Sequence, residues 1–299
     1  IAVPLGAAIG ALTGVFLALQ PGRLSAPAMV FAGVSQLFMV GVLMIRSPFK
    51  LLAVVPADGH GLNPLLEDPW MVAHPPALFL GYAAMLPAFA LGAAALIRGE
   101  YAEWNRRAWP WTLFSVVTLG TGIVLGGIWA YKVLGWGGYW GWDPVENASL
   151  LPWLTGTAYL HSVLVQERRG MLRVWNISLL VATFSLTILG TFITRSGVLQ
   201  SVHAFSNGTI GPYLLGFFGV IVAVSLALIG WRGDRLRSPG AIDSPVSREG
   251  AFLANNVIFT VFAFIVLLGT VFPLIIEALQ DRQIVVGLRS ADRSCSPTG

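Results

Sequence analysis

Charge is the scarcest commodity in this sequence of 299 residues. Charged side chains make up 11% of it, against roughly 25% in soluble domains. That is too little to cover a water-soluble globule of this size. Cysteine is rarer still: Cys295 stands alone, within the last five residues, so the chain forms no internal disulfide and runs no dithiol exchange by itself. The sequence also lacks a Walker loop, a dinucleotide fingerprint, a zinc-ligand spacing and a nucleophile elbow, which removes the common nucleotide-binding and hydrolase readings. No basic leader with a small-residue cleavage site is visible, so no signal peptide is read. The chain opens on Ile1, already apolar, and reads as an internal stretch of a longer protein. Together these absences exclude a cytosolic enzyme, a secreted disulfide scaffold and a nucleic-acid binder.

What is abundant is apolar sequence. Hydrophobic residues reach 56%, the mean hydropathy is +0.74, and uncharged runs of about twenty residues recur, the length a helix needs to cross a bilayer. The expected fold is an all-α, polytopic transmembrane bundle with about eight spans, near 1–19, 28–45, 77–97, 111–130, 148–165, 175–194, 211–231 and 255–276. Alternate loops hold Arg23; Arg98, Arg106 and Arg107; Arg168, Arg169 and Arg173; Arg232, Arg235, Arg237 and Arg248. The opposite loops hold only Arg46, Lys50, Lys132 and Arg195. Eleven basic residues against four assign the first set to the cytoplasm. The net charge of +4 and pI near 9.6 then need no acidic partner. Residues 1–286 read as one transmembrane domain. Residues 287–299, GLRSADRSCSPTG, turn abruptly polar and are expected to be disordered or an artefact of the reading frame.

The outward loops, 46–76, 131–147 and 195–210, carry more Trp, His, Gly, Asp and Asn than connectors require. Loops on a rigid scaffold commonly carry function. The second is the most informative: Trp136, Tyr139, Trp140 and Trp142 alternate with four glycines, followed by Asp143, Pro144, Glu146 and Asn147. Glycine allows close backbone approach, and flat aromatic faces with polar edges suit a planar ligand at the membrane surface. The competing reading is an interfacial aromatic belt, which needs no glycines between its rings. Asp143 and Glu146 are either an acid–base pair or a helix cap favoured by the N-terminal dipole. Lys132 and Arg195 suit haem propionates or, equally, lipid headgroups.

Imidazole is a common metal ligand and the usual axial ligand of haem iron. His74 precedes Pro75 and Pro76 at the expected entrance of the third span, where prolines cost nothing. His203 lies in the third outward loop. Both therefore face the side that bears the aromatic loop, as two axial ligands of one haem would; two unrelated loop histidines are the alternative. His161 falls inside the fifth span, fourteen residues from Asn147 or about 21 Å along a helix. An ionisable group at that depth is a functional candidate by default, or else a histidine hydrogen-bonded across a helix interface. His60, in a Gly-flanked turn, reads as a solvated loop residue.

At these residues a resemblance emerges. The stretch WGGYWGWDPVENASLLPWL (136–154) resembles the WWD signature of the haem-handling proteins, and more narrowly the CcmF family, the large membrane subunits of bacterial cytochrome c haem lyases. ADGHGLNPLLEDPWMVAHPP (57–76), LGTFITRSGVLQSVHAF (189–205), SREGAFLANN (247–256) and LLGTVFPLIIEAL (267–279) are similar to the same family. The resemblance implies that His74 and His203 ligate haem presented at the outer WWD surface. It implies that His161 ligates a separate intramembrane haem b, whose second ligand lies beyond this sequence. It implies a bacterial inner-membrane protein, active on its periplasmic face, that promotes thioether attachment of haem to the CXXCH cysteines of apocytochrome c, with the haem b as electron relay. The implied partners are haem, apocytochrome c, the haem chaperone CcmE, CcmH/CcmI-type subunits, quinol and membrane lipid. The rival expectation is a haem transporter or haem-presenting protein that makes no bonds; a purely structural subunit is the third.

Overall fold

The computed structural model describes residues 22–47, 61–101, 103–134, 137–198, 209–236 and 246–280, with isolated positions 10, 13, 14, 18, 54, 56–59 and 201. Seven long helices carry them: α1 (Ser25–Ile45), α2 (Trp70–Arg98), α3 (Trp104–Val133), α4 (Pro144–Arg169), α5 (Arg173–Ser196), α6 (Gly211–Leu236) and α7 (Arg248–Gln280). No strand occurs among the described residues. The chain is thus an all-helical, multi-pass membrane bundle. Of the expected span 1–19 only positions 10, 13, 14 and 18 are described, and the tail 287–299 lies outside the described residues.

Six helices, all but α4, are long and apolar enough to cross a membrane. Expected span 148–165 corresponds to α4, which owes its place to packing instead. Its polar Asn147, Ser149, Thr155 and Ser162 are buried between α3, α5 and α7. Thr155 accepts a hydrogen bond from Thr183 at 2.9 Å, and Tyr159 donates to Asn105 at 3.2 Å. Such cross-helix bonds satisfy groups that lipid would leave unpaired.

The helices run past the apolar runs that announce them. α2 begins seven residues before the expected 77, because Asp68 caps it: its carboxylate accepts from Trp70 N at 2.9 Å and Pro69 follows, a favoured residue at a helix start. Pro75 and Pro76 are therefore interior, not at the entrance, and the carbonyls four residues earlier lose their intrahelical donors. Gly99 and Gly170, at φ +70° and +67°, close α2 and α4 in the left-handed conformation that favours glycine.

α2 is central, touching α1, α3, α5 and α6. Small buried residues (Ala84, Ala88, Ala90, Ala94) let its neighbours approach. Phe89 stacks on Phe184 of α5 at 4.4 Å between ring centroids, and Phe38 of α1 on Phe217 of α6 at 4.0 Å. The α2–α3 seam is the closest. Added Cβ atoms at Gly81, Gly122 and Gly126 would meet Leu119, Leu78 and His74 at 2.5, 2.6 and 2.6 Å. One end of the bundle is knit by arginine: Arg23 pairs with Glu100 at 3.3 Å, Arg169 with Glu249 at 3.2 Å, and Arg232 donates to the last carbonyls of α2 at Leu96 and Ile97. The aromatic loops lie at the other end.

Candidate functional site

The second and third outward loops are tied together around the start of α4, and the first is pinned to α3. Asp143 is its N-cap, accepting from Val145 N at 2.8 Å and Glu146 N at 3.4 Å, while Glu146 accepts from Asp143 N at 3.3 Å and Gly141 N at 3.1 Å. This is a complete capping box, so of the two readings open for this carboxylate pair the cap is the one formed. Asp143 also accepts from Ser201 of the third loop at 2.8 Å. Asn147, fully buried, accepts from Trp140 Nε1 at 3.2 Å and donates to Thr270 of α7 at 3.0 Å. The first loop is pinned by buried Trp129, whose indole N–H donates to the Leu65 carbonyl at 2.9 Å.

The aromatic residues divide. Tyr139 and Trp140 are exposed, at 61% and 38%. Trp142, at φ +57°, turns inward instead. Its ring packs with the cluster of Leu151, Leu154 and Val266 and lies 3.2 Å from the Cβ position of Gly269. Its Nε1 is buried without an acceptor among the described residues. A non-glycine residue in the left-handed region and an orphaned buried donor are both features that gather at functional sites. Trp136 lies outside the described residues.

His74 is held inside α2, against α3. Its Nδ1 is 2.7 Å from the Gly122 carbonyl; a carbonyl only accepts, so Nδ1 carries a proton, which in the neutral ring leaves the lone pair on Nε2. That tautomer is the one a ring ligating iron through Nε2 requires, and the second-shell carbonyl fixes its orientation. Gly126 of α3 faces the ring, and the next residue, Gly127, faces the aromatic loop: a Cβ on Gly138 would sit 2.7 Å from the Gly127 carbonyl and from Tyr131. One glycine pair thus brings His74 and the loop to the same level of α3. Lys132 lies over the Trp70 ring, 5.5 Å from its centroid, one turn outward of His74. His203 and His60 lie outside the described residues.

His161 is remote from this face. It is 17 positions along α4 from Pro144, about 25 Å, and about 12 Å from the arginine-rich end. It sits between Phe252 and Phe259 of α7, at 6.0 and 5.9 Å between centroids, and Asn255 Nδ2 lies 3.0 Å from its Nδ1. The cross-helix bond expected as the competing reading is therefore present, and it occupies Nδ1 only. Arg195 lines a cavity that contains no residue of the aromatic loop.

Sequence reasoning missed the glycines of α3. Gly122 and Gly126 form a small-x-x-x-small spacing inside an apolar run, a known signal for close helix contact. It missed Asn255 and Thr270 too, polar residues within an apolar helix whose partners on α4 are visible only in the fold.

The sequence pattern of the cytochrome c assembly protein family matches residues 7–200. The chain is 47% identical over 260 residues to the cytochrome c-type biogenesis protein CycK of Rhizobium meliloti, covering 86% of this chain and 38% of that protein. To the cytochrome c-type biogenesis protein CcmF of Escherichia coli it is 45% identical over 257 residues, covering 84% and 39%. A solved structure, that of the cytochrome c heme lyase CcmF, superposes with a TM-score of 0.74 at 34% identity, over 92% of this chain and 41% of that one. The chain spans about two-fifths the length of these relatives. With most of its length matched by that pattern, the chain belongs to the cytochrome c assembly protein family.

Proposed function

We propose that the chain is part of a cytochrome c maturation machine of the bacterial inner membrane. Its loop-bearing end faces the periplasm and holds haem, as substrate, while two cysteine thiols of an apocytochrome add to it. Each addition turns one S–H and one vinyl C=C into a C–S and a C–H bond, so the atoms balance with no oxidant consumed. The observation that carries the reading is the convergence of His74, in its ligating tautomer, and the aromatic loop on Gly126 and Gly127. The names of the relatives, cytochrome c-type biogenesis proteins and a heme lyase, point the same way.

The chain's own part is positional. His74 fixes the iron through Nε2, and His203, by the family resemblance, supplies the second ligand. Tyr139 and Trp140, joined by Trp136, offer flat faces to the porphyrin and exclude water. Lys132, held over Trp70, suits a haem carboxylate, and the buried N–H of Trp142 is a donor in want of an acceptor. Asp143, Glu146 and Asn147 hold the loop still. Orientation of this kind lowers a barrier by fixing reactants before they react. The haem chaperone CcmE, CcmH/CcmI-type subunits and apocytochrome c dock on this same face.

His161 is the residue that would hold an intramembrane haem b. Bound there and supplied with electrons by quinol, that group would contribute the one-electron chemistry that keeps substrate haem ferrous. The Asn255 amide as oriented donates to Nδ1, which leaves the proton on Nε2; with the amide turned over, Oδ1 accepts Nδ1–H and Nε2 is the ligand. The side chains fit the group in that second orientation.

The test is reconstitution of the full-length protein and its partner subunits with haem and an apocytochrome carrying CXXCH. A covalent product with two thioethers is expected, lost in His74→Ala. Haem that only changes place, with no covalent product, would establish the transporter reading instead.

A further inference from the structure

Between the outward halves of α1, α2, α5 and α6 lies a cavity of about 160 Å³. Its walls lie within residues 35–42 of α1, 79–86 of α2, 184–195 of α5 and 210–217 at the start of α6, with Gly10 against the α1 side. It therefore opens along the outer half of the bundle, over about 16 Å from Phe184 to Arg195. Apart from the Gln36 amide, the wall beside the arginine is apolar or self-satisfied. Thr187, Thr191 and Thr194 lie along one face of α5, and each hydroxyl donates to a carbonyl of its own helix at 2.7 to 2.8 Å. Among the described residues Arg195 is the one charged side chain lining it, and it has no hydrogen bond or ion pair with them. A half-buried guanidinium with five donors and no acceptor calls for an anion.

We infer that this cavity binds an acyl chain bearing an anionic head, with the chain between the phenylalanines and threonines of the four helices and the head on Arg195. The size selects the ligand class. A cavity of about 150 Å³ accepts a guest the size of benzene, so it takes the head-proximal stretch of one slender chain, whose remainder runs out between the helices into lipid, and not a tetrapyrrole. The shared chemistry, apolar chain plus carboxylate or phosphodiester, belongs both to a free fatty acid and to an anionic phospholipid of the outer leaflet. This site goes beyond the haem reading, since no described residue of 131–147 touches it.

The experiment is native mass spectrometry of the delipidated full-length protein in uncharged detergent, titrated separately with oleate, phosphatidylglycerol and phosphatidylcholine. One equivalent of oleate or of phosphatidylglycerol should be retained at least tenfold more tightly than phosphatidylcholine; which of the two is retained identifies the source. Arg195→Gln should abolish that preference. Ala83→Leu, which fills the cavity from α2, should lower retention of every chain and leaves Arg195 in place, so a misfolded arginine variant does not end the test. Equal retention of phosphatidylcholine, or anion preference unchanged in Arg195→Gln, overturns the inference. So does a parallel loss of haem with lipid in Arg195→Gln, which would give the cation to a porphyrin carboxylate. Loss of covalent product with lipid retention intact would sink the maturation reading alone.

Discussion

Gly126→Ala is the sharpest perturbation of the outer site that leaves its own residues untouched. The new Cβ would lie 2.6 Å from His74 Cε1 and 2.8 Å from Nδ1. Carbon atoms settle near 3.5 to 4.0 Å apart, so the ring must retreat by about 1 Å. That retreat stretches the 2.7 Å bond from Nδ1 to the Gly122 carbonyl past the roughly 3.5 Å at which it stops being one. The ring then loses both its aim and the partner that fixes its tautomer. Outer-shell partners of metal ligands are worth about 10- to 100-fold in affinity, and a comparable fall in haem capture is expected. The neighbouring Gly127→Ala is the control. It makes the same chemical change one residue on, where the nearest contact is the Gly138 carbonyl at an ordinary 3.9 Å. Haem titrations of the two variants in the full-length protein, with circular dichroism to show equal helix content, are the assay. Equal haem affinity in Gly126→Ala and Gly127→Ala would refute the reasoning, because the clash with His74 is the only thing that separates them.

Two further outcomes follow from the other side chains. Trp142→Phe keeps a six-membered aromatic face and removes the pyrrole half of the indole, with a buried N–H that has no acceptor; relief of that group, whose burial costs about 1–3 kcal/mol, offsets the small void left behind. The haem-free protein should melt no lower than the parent while haem retention drops several-fold; unchanged retention would show that the N–H serves no ligand. Asn255→Asp supplies only acceptors to His161 and should favour Nε2 ligation, moving the haem b potential downward in a redox titration. Asn255→Leu should cost about 10- to 100-fold in intramembrane haem content. Identical haem content and potential in all three proteins would free Asn255 of any positioning role.

The apolar runs made the helices legible, because lipid leaves a chain few other ways to satisfy its backbone. Their true ends were also written, as Asp68-Pro69 and Asp143-Pro144, but the prolines after His74 drew the eye to a later start. α4 was readable as a span only in outline: its polar residues look costly until Asn105, Thr183, Asn255 and Thr270 are seen to meet them. The division between Trp140 and Trp142 was not readable at all. Two residues apart, they part company through one left-handed backbone step, and nothing in their side chains announces it. Asp143 and Glu146 stood open between cap and catalysis because both uses want carboxylates three residues apart; only the hydrogen bonds decide.

The α2–α3 seam has a consequence for how this chain can change over generations. Its three contacts pair residues 81 with 119, 78 with 122, and 74 with 126, and in each pair the two numbers sum to 200. The helices therefore mesh as antiparallel racks with one fixed offset. Inserting or deleting a single residue between 74 and 81, or between 119 and 126, would turn everything beyond it by about 100° and send the histidine to a different face. Relatives should differ here by substitution only, never by length, while gaps in their alignment collect in the connections between helices.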